Sequence, residues 1–153
     1  MSVASNKRKN VIDSSSLGKY VNRENNWEQV GKQLLPAEGE EAGCTTLQFS
    51  IYEVGNSVWK RVQRKEIPQD AALLVFGQFV KSILEDNLVA IEQLDADLAN
   101  KSFRTAIDCG HTIYDCAFIE LARKLKIGLI TSDEKQRDIA KDQYHNLPVT
   151  LIR

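Results

Sequence analysis

The chain has 153 residues, 42% of them hydrophobic and 27% charged, with 20 lysines and arginines set against 21 acids. These totals fit one globular domain with a sizeable core, and a net charge of −1 gives no bulk pull toward nucleic acid or away from it. No apolar run is long enough to span a bilayer, MSVASNKRKN lacks the apolar centre of a signal peptide, and three widely spaced cysteines (Cys44, Cys109, Cys116) read as small buried hydrophobes in a reducing compartment, so a cytoplasmic protein is expected.

Residues 1–9 are polar and basic and read as a tail before a single domain over 10–153. Val11 and Ile12 make a brief strand that runs into Asp13-Ser14-Ser15-Ser16, a polar turn or helix cap. Short helices are expected over 17–21 and 27–35, the second with Trp27, Val30, Leu34 and Leu35 on one side. An acidic loop fills 36–43. A second strand over 44–46 leads to a long helix over 47–64. Its apolar stripe is Leu47, Ile51, Val54, Val58 and Val62, while Phe49, Glu53, Asn56 and Lys60 lie elsewhere. Pro68 suits the first position of a helix over 68–84, with Ala72, Leu73, Phe76, Val80 and Ile83 as its buried side. A third strand over 88–91 precedes a helix over 97–109, striped by Ala99, Phe103, Ala106 and Ile107.

The most informative stretch follows. Ile113, Tyr114, Ala117, Phe118, Leu121, Ala122 and Leu125 recur at three-to-four spacing, the stripe of a buried helix with Asp115 in its first turn. Leu129-Ile130 make a short strand, and Thr131-Ser132-Asp133-Glu134 pass from its end into a helix over 134–143. A closing strand over 149–152 comes after Pro148. Strands alternating with helices give a parallel sheet covered on both faces, and ligands of such sheets bind at the strands' carboxyl ends.

Asp13 and Asp133 should share that edge. The helix carrying Glu53 starts there too, and Asp115 joins them if its helix runs the right way. Singly, each acid has an ordinary role: Asp13 in an Asx turn, Asp115 with Thr112 and Asp133 with Gln136 in capping boxes, Glu53 as a solvated helix residue. Glu53 has no Lys or Arg four residues on to pair with. Taken together, clustered carboxylates repel unless a cation sits between them, and oxygen ligands with few histidines suit Mg²⁺ or Mn²⁺. The Ser14–Ser16 run lacks a GxSxG elbow, and no GxxxxGK[ST] or GxGxxG occurs. Lys60, Arg61, Arg64 and Lys65 make a basic helix end, either a solvated face or a guide for RNA phosphate.

VIDSSSLGKYV, then FSIYEVGNSVWK, then TIYDCAFIELARKLKIGLITSDEK resemble, in order and spacing, the PIN-domain ribonucleases of the VapC toxin type. The resemblance runs from Val11 over nearly the whole chain. It implies a three-layer α/β/α sandwich on a five-stranded parallel sheet, and an acidic Mg²⁺ or Mn²⁺ site that cuts single-stranded or loop RNA. By motif position Asp13, Glu53, Asp115 and Asp133 would be both catalytic residues and metal ligands, supported by Ser14, Asn56 and Thr131. The resemblance also implies a homodimer and a cognate, VapB-like antitoxin of a type II pair. Tyr20, Trp27, Leu34 and Leu35 either form a groove for that partner or simply cover the sheet. The alternatives are a non-toxin PIN nuclease of RNA processing and a PIN-like module that binds RNA or a partner without cutting.

Overall fold

The computed structural model describes residues 9–93 and 95–153; residues 1–8, nearly all of the expected basic tail, lie outside the described residues. In chain order the elements are β1 (Asn10–Ile12), α1 (Ser14–Val21), α2 (Trp27–Leu34), β2 (Cys44–Leu47), α3 (Phe49–Gln63), α4 (Gln69–Asp86), β3 (Ala90–Glu92), α5 (Ala96–Cys109), α6 (Ile113–Leu125), β4 (Leu129–Thr131), α7 (Glu134–Gln143) and β5 (Val149–Leu151). The five strands pair in parallel in the order β3-β2-β1-β4-β5. β1 is central: Val11 lies opposite Thr45 on one side and Leu129 on the other.

The two-residue period of the strands divides the core into two. Val11 and Leu129 face Leu98, Phe118, Leu121 and Ile139 on α5, α6 and α7. Ile12 and Ile130 face Leu17, Val30, Val54 and Phe79 on α1 to α4. The result is the three-layer sandwich expected from the sequence. Among the described residues, no helix is long and apolar enough to cross a membrane.

Several element edges and faces differ from the sequence reading, each for a local reason. α1 begins at Ser14, three residues before the expected start, because Asp13 caps it: Oδ1 accepts from the Ser16 N–H at 3.0 Å. Leu47 belongs to β2, pairing with Glu92, so the long helix begins at Phe49. Pro68 is the extended residue before α4 and not its first helical one. α4 buries Ala72, Phe79 and Ile83, whereas Leu73 is exposed. That orientation follows from the close seat of Phe76 over Gly55 of α3, where a Cβ would stand 3.0 Å from the ring.

The largest departure is α5. It buries Leu98, Ser102 and Thr105 and leaves Phe103 and Ile107 exposed, so the apolar stripe faces outward. The buried hydroxyls are satisfied locally: Ser102 donates to the Leu98 carbonyl (2.6 Å) and Thr105 to the buried Glu120 carboxylate (2.8 Å). Small satisfied side chains let α5 lie close to α6, and a hydrophobicity period cannot see them. Leu34 is buried and Val30 fully so, while Leu35 is exposed. Trp27 packs on Tyr20 and under Arg23. The expected partner groove therefore loses Leu34 to the core, and Leu34→Asp would unfold the chain without probing a partner.

Gly43 leads into β2 where the chain passes over the end of α2. A Cβ there would lie 2.4 Å from the Leu35 carbonyl oxygen and 2.8 Å from those of Gln33 and Leu34. These are backbone atoms and cannot swing away. Gly43→Ala should therefore cost about 1–3 kcal/mol, read as a lower urea midpoint at unchanged slope; an unchanged midpoint would mean that this crossing relaxes freely.

Candidate active site

Because all five strands run the same way, their carboxyl ends lie on one edge, and the elements that leave that edge carry the acids. Asp13 follows β1, Asp133 follows β4, and α3 leaves β2 with Glu53 just beyond its first turn. α6 ends at the opposite edge, where β4 begins, so its first turn with Asp115 returns to the acidic edge.

Asp13 is the most enclosed of the four, 1% exposed. Its Oδ1 accepts from the Ser15 hydroxyl (2.7 Å) and the Ser16 N–H (3.0 Å), and its Oδ2 accepts from the Thr131 hydroxyl (2.5 Å). Thr131 Oγ1 in turn accepts from the Asp133 N–H at 3.0 Å, so one hydroxyl joins the ends of β1 and β4. Ser14 donates to Glu53 Oε1 at 3.0 Å and ties α1 to α3. Gln136, buried on α7, donates from Nε2 to the Asp115 carbonyl at 3.3 Å and ties α7 to α6.

The charges are arranged at a cost. Burial pushes the Asp13 carboxyl up to about 6 against the pull of Thr131, Ser15 and Ser16, and the Asp133 charge pushes the same way. Burial also raises Glu53, opposed by the Ser14 hydrogen bond and reinforced by Asp115. Among the described residues, no lysine or arginine forms an ion pair with any of the four acids.

The four acids thus meet as two neighbouring pairs, Asp13 with Asp133 and Glu53 with Asp115. Among the described residues, no three acid, histidine or cysteine side chains are grouped around one point for an ion. Like Asp13 and Glu53, the other two acids have an oxygen already engaged. Asp133 Oδ1 accepts from the Lys135 and Gln136 N–H groups at the start of α7, and Asp115 Oδ2 accepts from Thr112. The donor chemistry nevertheless fits a divalent cation: the set is all oxygen, two members are raised by burial and mutual repulsion, and among the described residues no lysine or arginine pairs with them.

The other expected residues divide. Thr131 and Ser14 are in the network. Asn56 is exposed one turn beyond Glu53 on α3. Lys60 is exposed two turns beyond Glu53 on the same face, some 10 Å along the axis. With Arg23, Ser57, Arg61 and Arg64 it lines a depression of about 500 Å³. Arg61 donates to Asn22 and pairs with Glu66 (3.3 Å), and Arg64 Nη1 lies 3.8 Å from the same glutamate, so part of this charge is used within the protein. Lys65 sits past the helix end in a left-handed conformation (φ 59°). His145 lines a separate depression with Tyr144 and Pro148 at the opposite edge of the sheet, far from the acids in the topology.

Ser15, Ser16, Ser132 and Gln136 are not among the expected site residues; the sequence reading gives Gln136 only a capping role with Asp133 and the serines only a turn or cap. Ser132 donates its N–H to Ser15 Oγ (3.0 Å), and the Ser16 and Ser132 hydroxyls lie 2.9 Å apart. The signal was present: three serines after an aspartate make one helix turn of hydroxyls, legible as a support for that acid once a nucleophile elbow is ruled out.

The PIN-domain family pattern matches residues 11–142. Ribonuclease VapC3 of Pyrobaculum aerophilum is 28% identical over 128 residues, 82% of this chain and 89% of the relative. Among solved structures, PAE2754 of Pyrobaculum aerophilum superposes with a TM-score of 0.66 at 17% identity, over 97% of this chain and 87% of the other. VapC20 of Mycobacterium tuberculosis, described as a sarcin-ricin loop cleaving toxin, superposes with a TM-score of 0.59 at 14% identity, over 84% and 92%. At these identities the two structures speak for the fold.

Proposed function

The chain belongs to the PIN-domain family, and from that premise we propose that it is a Mg²⁺- or Mn²⁺-dependent endoribonuclease, the toxin of a type II toxin–antitoxin pair, acting on single-stranded or loop RNA. The observation that carries this reading is Asp13: a carboxylate shut away from water, held by three donors, pushed up to about 6 and, among the described residues, without an ion-pair partner. A structural role would favour a neutral side chain there. The similarity to ribonuclease VapC3 supports the choice of RNA as substrate.

In this reading Asp13, Glu53, Asp115 and Asp133 would hold the cation, and the chemistry it would supply when bound is polarisation of the scissile phosphate and a lower pKa for attacking water. Thr131 and Ser15 fix both oxygens of Asp13, and Ser14 fixes Glu53, so that neither carboxylate has to be ordered when RNA arrives. Lys60 and Arg64, in line beyond Glu53 and Asn56 on α3, receive a phosphate of the flanking strand. Phe103 and Ile107, exposed on α5, supply apolar surface for a second copy in the proposed homodimer; a monomer by light scattering at working concentration would remove that element.

The deciding experiment is digestion of end-labelled RNA by purified protein. Cleavage is expected with Mg²⁺ or Mn²⁺, with none in EDTA and none by Asp13→Asn. Growth arrest on expression, absent with Asp13→Asn and relieved by a co-expressed neighbouring small gene, is expected for the toxin role. Lys60→Glu combined with Arg64→Glu should raise KM several-fold and leave kcat within about twofold, since the lost contact is to substrate away from the reacting bond. A fall in kcat with KM unchanged would place these residues at the chemistry instead.

A further inference from the structure

The fold brings together two thiols that the sequence keeps apart. Cys109 is the last residue of α5 and Cys116 lies in the first turns of α6. The two helices form an antiparallel hairpin, shown by Thr105 bonding Glu120 midway and Lys124 pairing with Asp95 at the far end. At the near end the two sulfurs stand 3.7 Å apart. Both cysteines are free; Cys116 is buried and Cys109 half-buried, so a small oxidant reaches Cys109 first. Cys44 takes no part: it sits on β2 in the opposite core, with its thiol donating to the Gln33 carbonyl.

We propose that Cys109 and Cys116 are a reversible disulfide site whose closure staples α5 to the turn that carries Asp115. The step balances with a peroxide as oxidant. Cys109 sulfur takes one oxygen from hydrogen peroxide: an S–O bond forms, the O–O bond breaks and one water leaves. Cys116 sulfur then attacks Cys109 sulfur: the S–S bond forms, the S–O bond breaks, and the departing oxygen leaves with the Cys116 proton as a second water. Two thiols lose two electrons and the peroxide gains two. A dithiol reductant reverses it by exchange.

Closure needs the sulfurs about 1.7 Å nearer. The connection can give, since Gly110 sits in the left-handed region (φ 68°) and ends α5 outside both helices. The movement is passed to Asp115, the residue before Cys116. Thr112 donates to Asp115 Oδ2 (3.0 Å) and caps its N–H (3.4 Å), so the cap and the acid shift together. The disulfide itself is independent of the ribonuclease reading; its effect on ion binding rests on that reading.

The test is stoichiometric peroxide treatment of the whole chain, followed by thiol titration under denaturing conditions and non-reducing peptide mapping. Free thiols are expected to fall from three to one, with a Cys109–Cys116 linked peptide, and to return to three with dithiothreitol. Cys109→Ser should give no linked peptide. The shift in melting temperature produced by Mn²⁺ is expected to be at least halved in the oxidised wild type and unchanged by the same treatment of Cys109→Ser. Thiols that stay at three, or that are lost without a linked peptide, overturn the site. A linked peptide with an undiminished Mn²⁺ shift overturns the coupling to Asp115. A Mn²⁺ shift absent before oxidation sinks the metal site instead, which separates the two failures.

Discussion

Asp13→Asn is expected to abolish cleavage to within about a hundredth of wild type and, at the same time, to stabilise the metal-free protein. The loss of activity should be no smaller than the roughly 10–100-fold cost of removing an outer partner of a metal ligand, because Asp13 is proposed as a ligand itself. The gain in stability follows from its carboxyl, raised from 3.8 to about 6 by burial. Below pH 4 the group is protonated in both folded and unfolded chains and contributes no difference. Between pH 4 and 6 the folded chain keeps a proton that the unfolded chain has released, so stability falls as pH rises. Above pH 6 both are ionised and the whole penalty stands, on the order of 2–3 kcal/mol for a shift of this size.

Asparagine avoids that penalty and keeps the network. Its oxygen accepts from Ser15 and Ser16, and its amide donates to Thr131, which still accepts from the Asp133 N–H. The variant should therefore melt about 4–8 °C above wild type at pH 7.5 without metal and level with it at pH 4. Excess Mn²⁺ should narrow or reverse the order, since only wild type gains by mass action, some 2.7 kcal/mol at a hundred times Kd. A variant that melts below wild type at pH 7.5 in EDTA would show that this carboxylate is a structural asset, and the metal reading would lose its main support.

The sequence carried the architecture well because the strands and the middle of α6 are patterned by burial; Ala117, Phe118, Leu121 and Ala122 are buried as expected, whereas Ile113, Tyr114 and Leu125 at the ends of that stripe are exposed. Val11-Ile12 and Leu129-Ile130 are apolar on both faces, which in so short a run means the middle of a covered parallel sheet, and their residues indeed divide between the two cores. Asp13 and Asp133 were placed on one edge by topology, without any knowledge of side-chain contacts. What failed was the outward-facing half of two helices. On α5, Phe103 and Ile107 outscore Ser102 and Thr105 on any hydrophobic scale, yet the hydroxyls are inside because Leu98 and Glu120 satisfy them. On α4, Leu73 and Leu74 are exposed and Phe79 is not. The sequence also gave no sign that Cys109 and Cys116 meet, since that contact exists only once α5 and α6 turn back on each other across Gly110. The four acids were expected together, whereas they stand as two pairs and, among the described residues, no three acidic, histidine or cysteine side chains gather at one point.

Cleavage is expected to leave a 5′-phosphate and a 3′-hydroxyl, and to stop when divalent ions are removed. RNA can be cut by two chemistries with different ends. One turns the neighbouring 2′-hydroxyl on the phosphate and leaves a cyclic phosphate; it needs groups that exchange protons near neutral pH, usually histidines. The chain has two histidines. His145 lies at the opposite edge of the sheet, beside Pro148, where it cannot serve the acids. His111 stands just ahead of the Thr112 cap, close in sequence to Asp115, but it has no second histidine to act as its complement. The other chemistry brings water in line to the phosphorus and leaves the 2′-hydroxyl unused, which a set of oxygen ligands around a divalent ion is suited to support. A single 2′-deoxy substitution at the scissile nucleotide should then be cut at a comparable rate, provided that hydroxyl is not itself read. His111→Ala should keep most of the activity, and products should enter ligation at the 5′ end without kinase treatment. Cyclic phosphate ends, with activity that survives EDTA and disappears in His111→Ala, would move the chemistry from the four acids to the loop that joins α5 and α6.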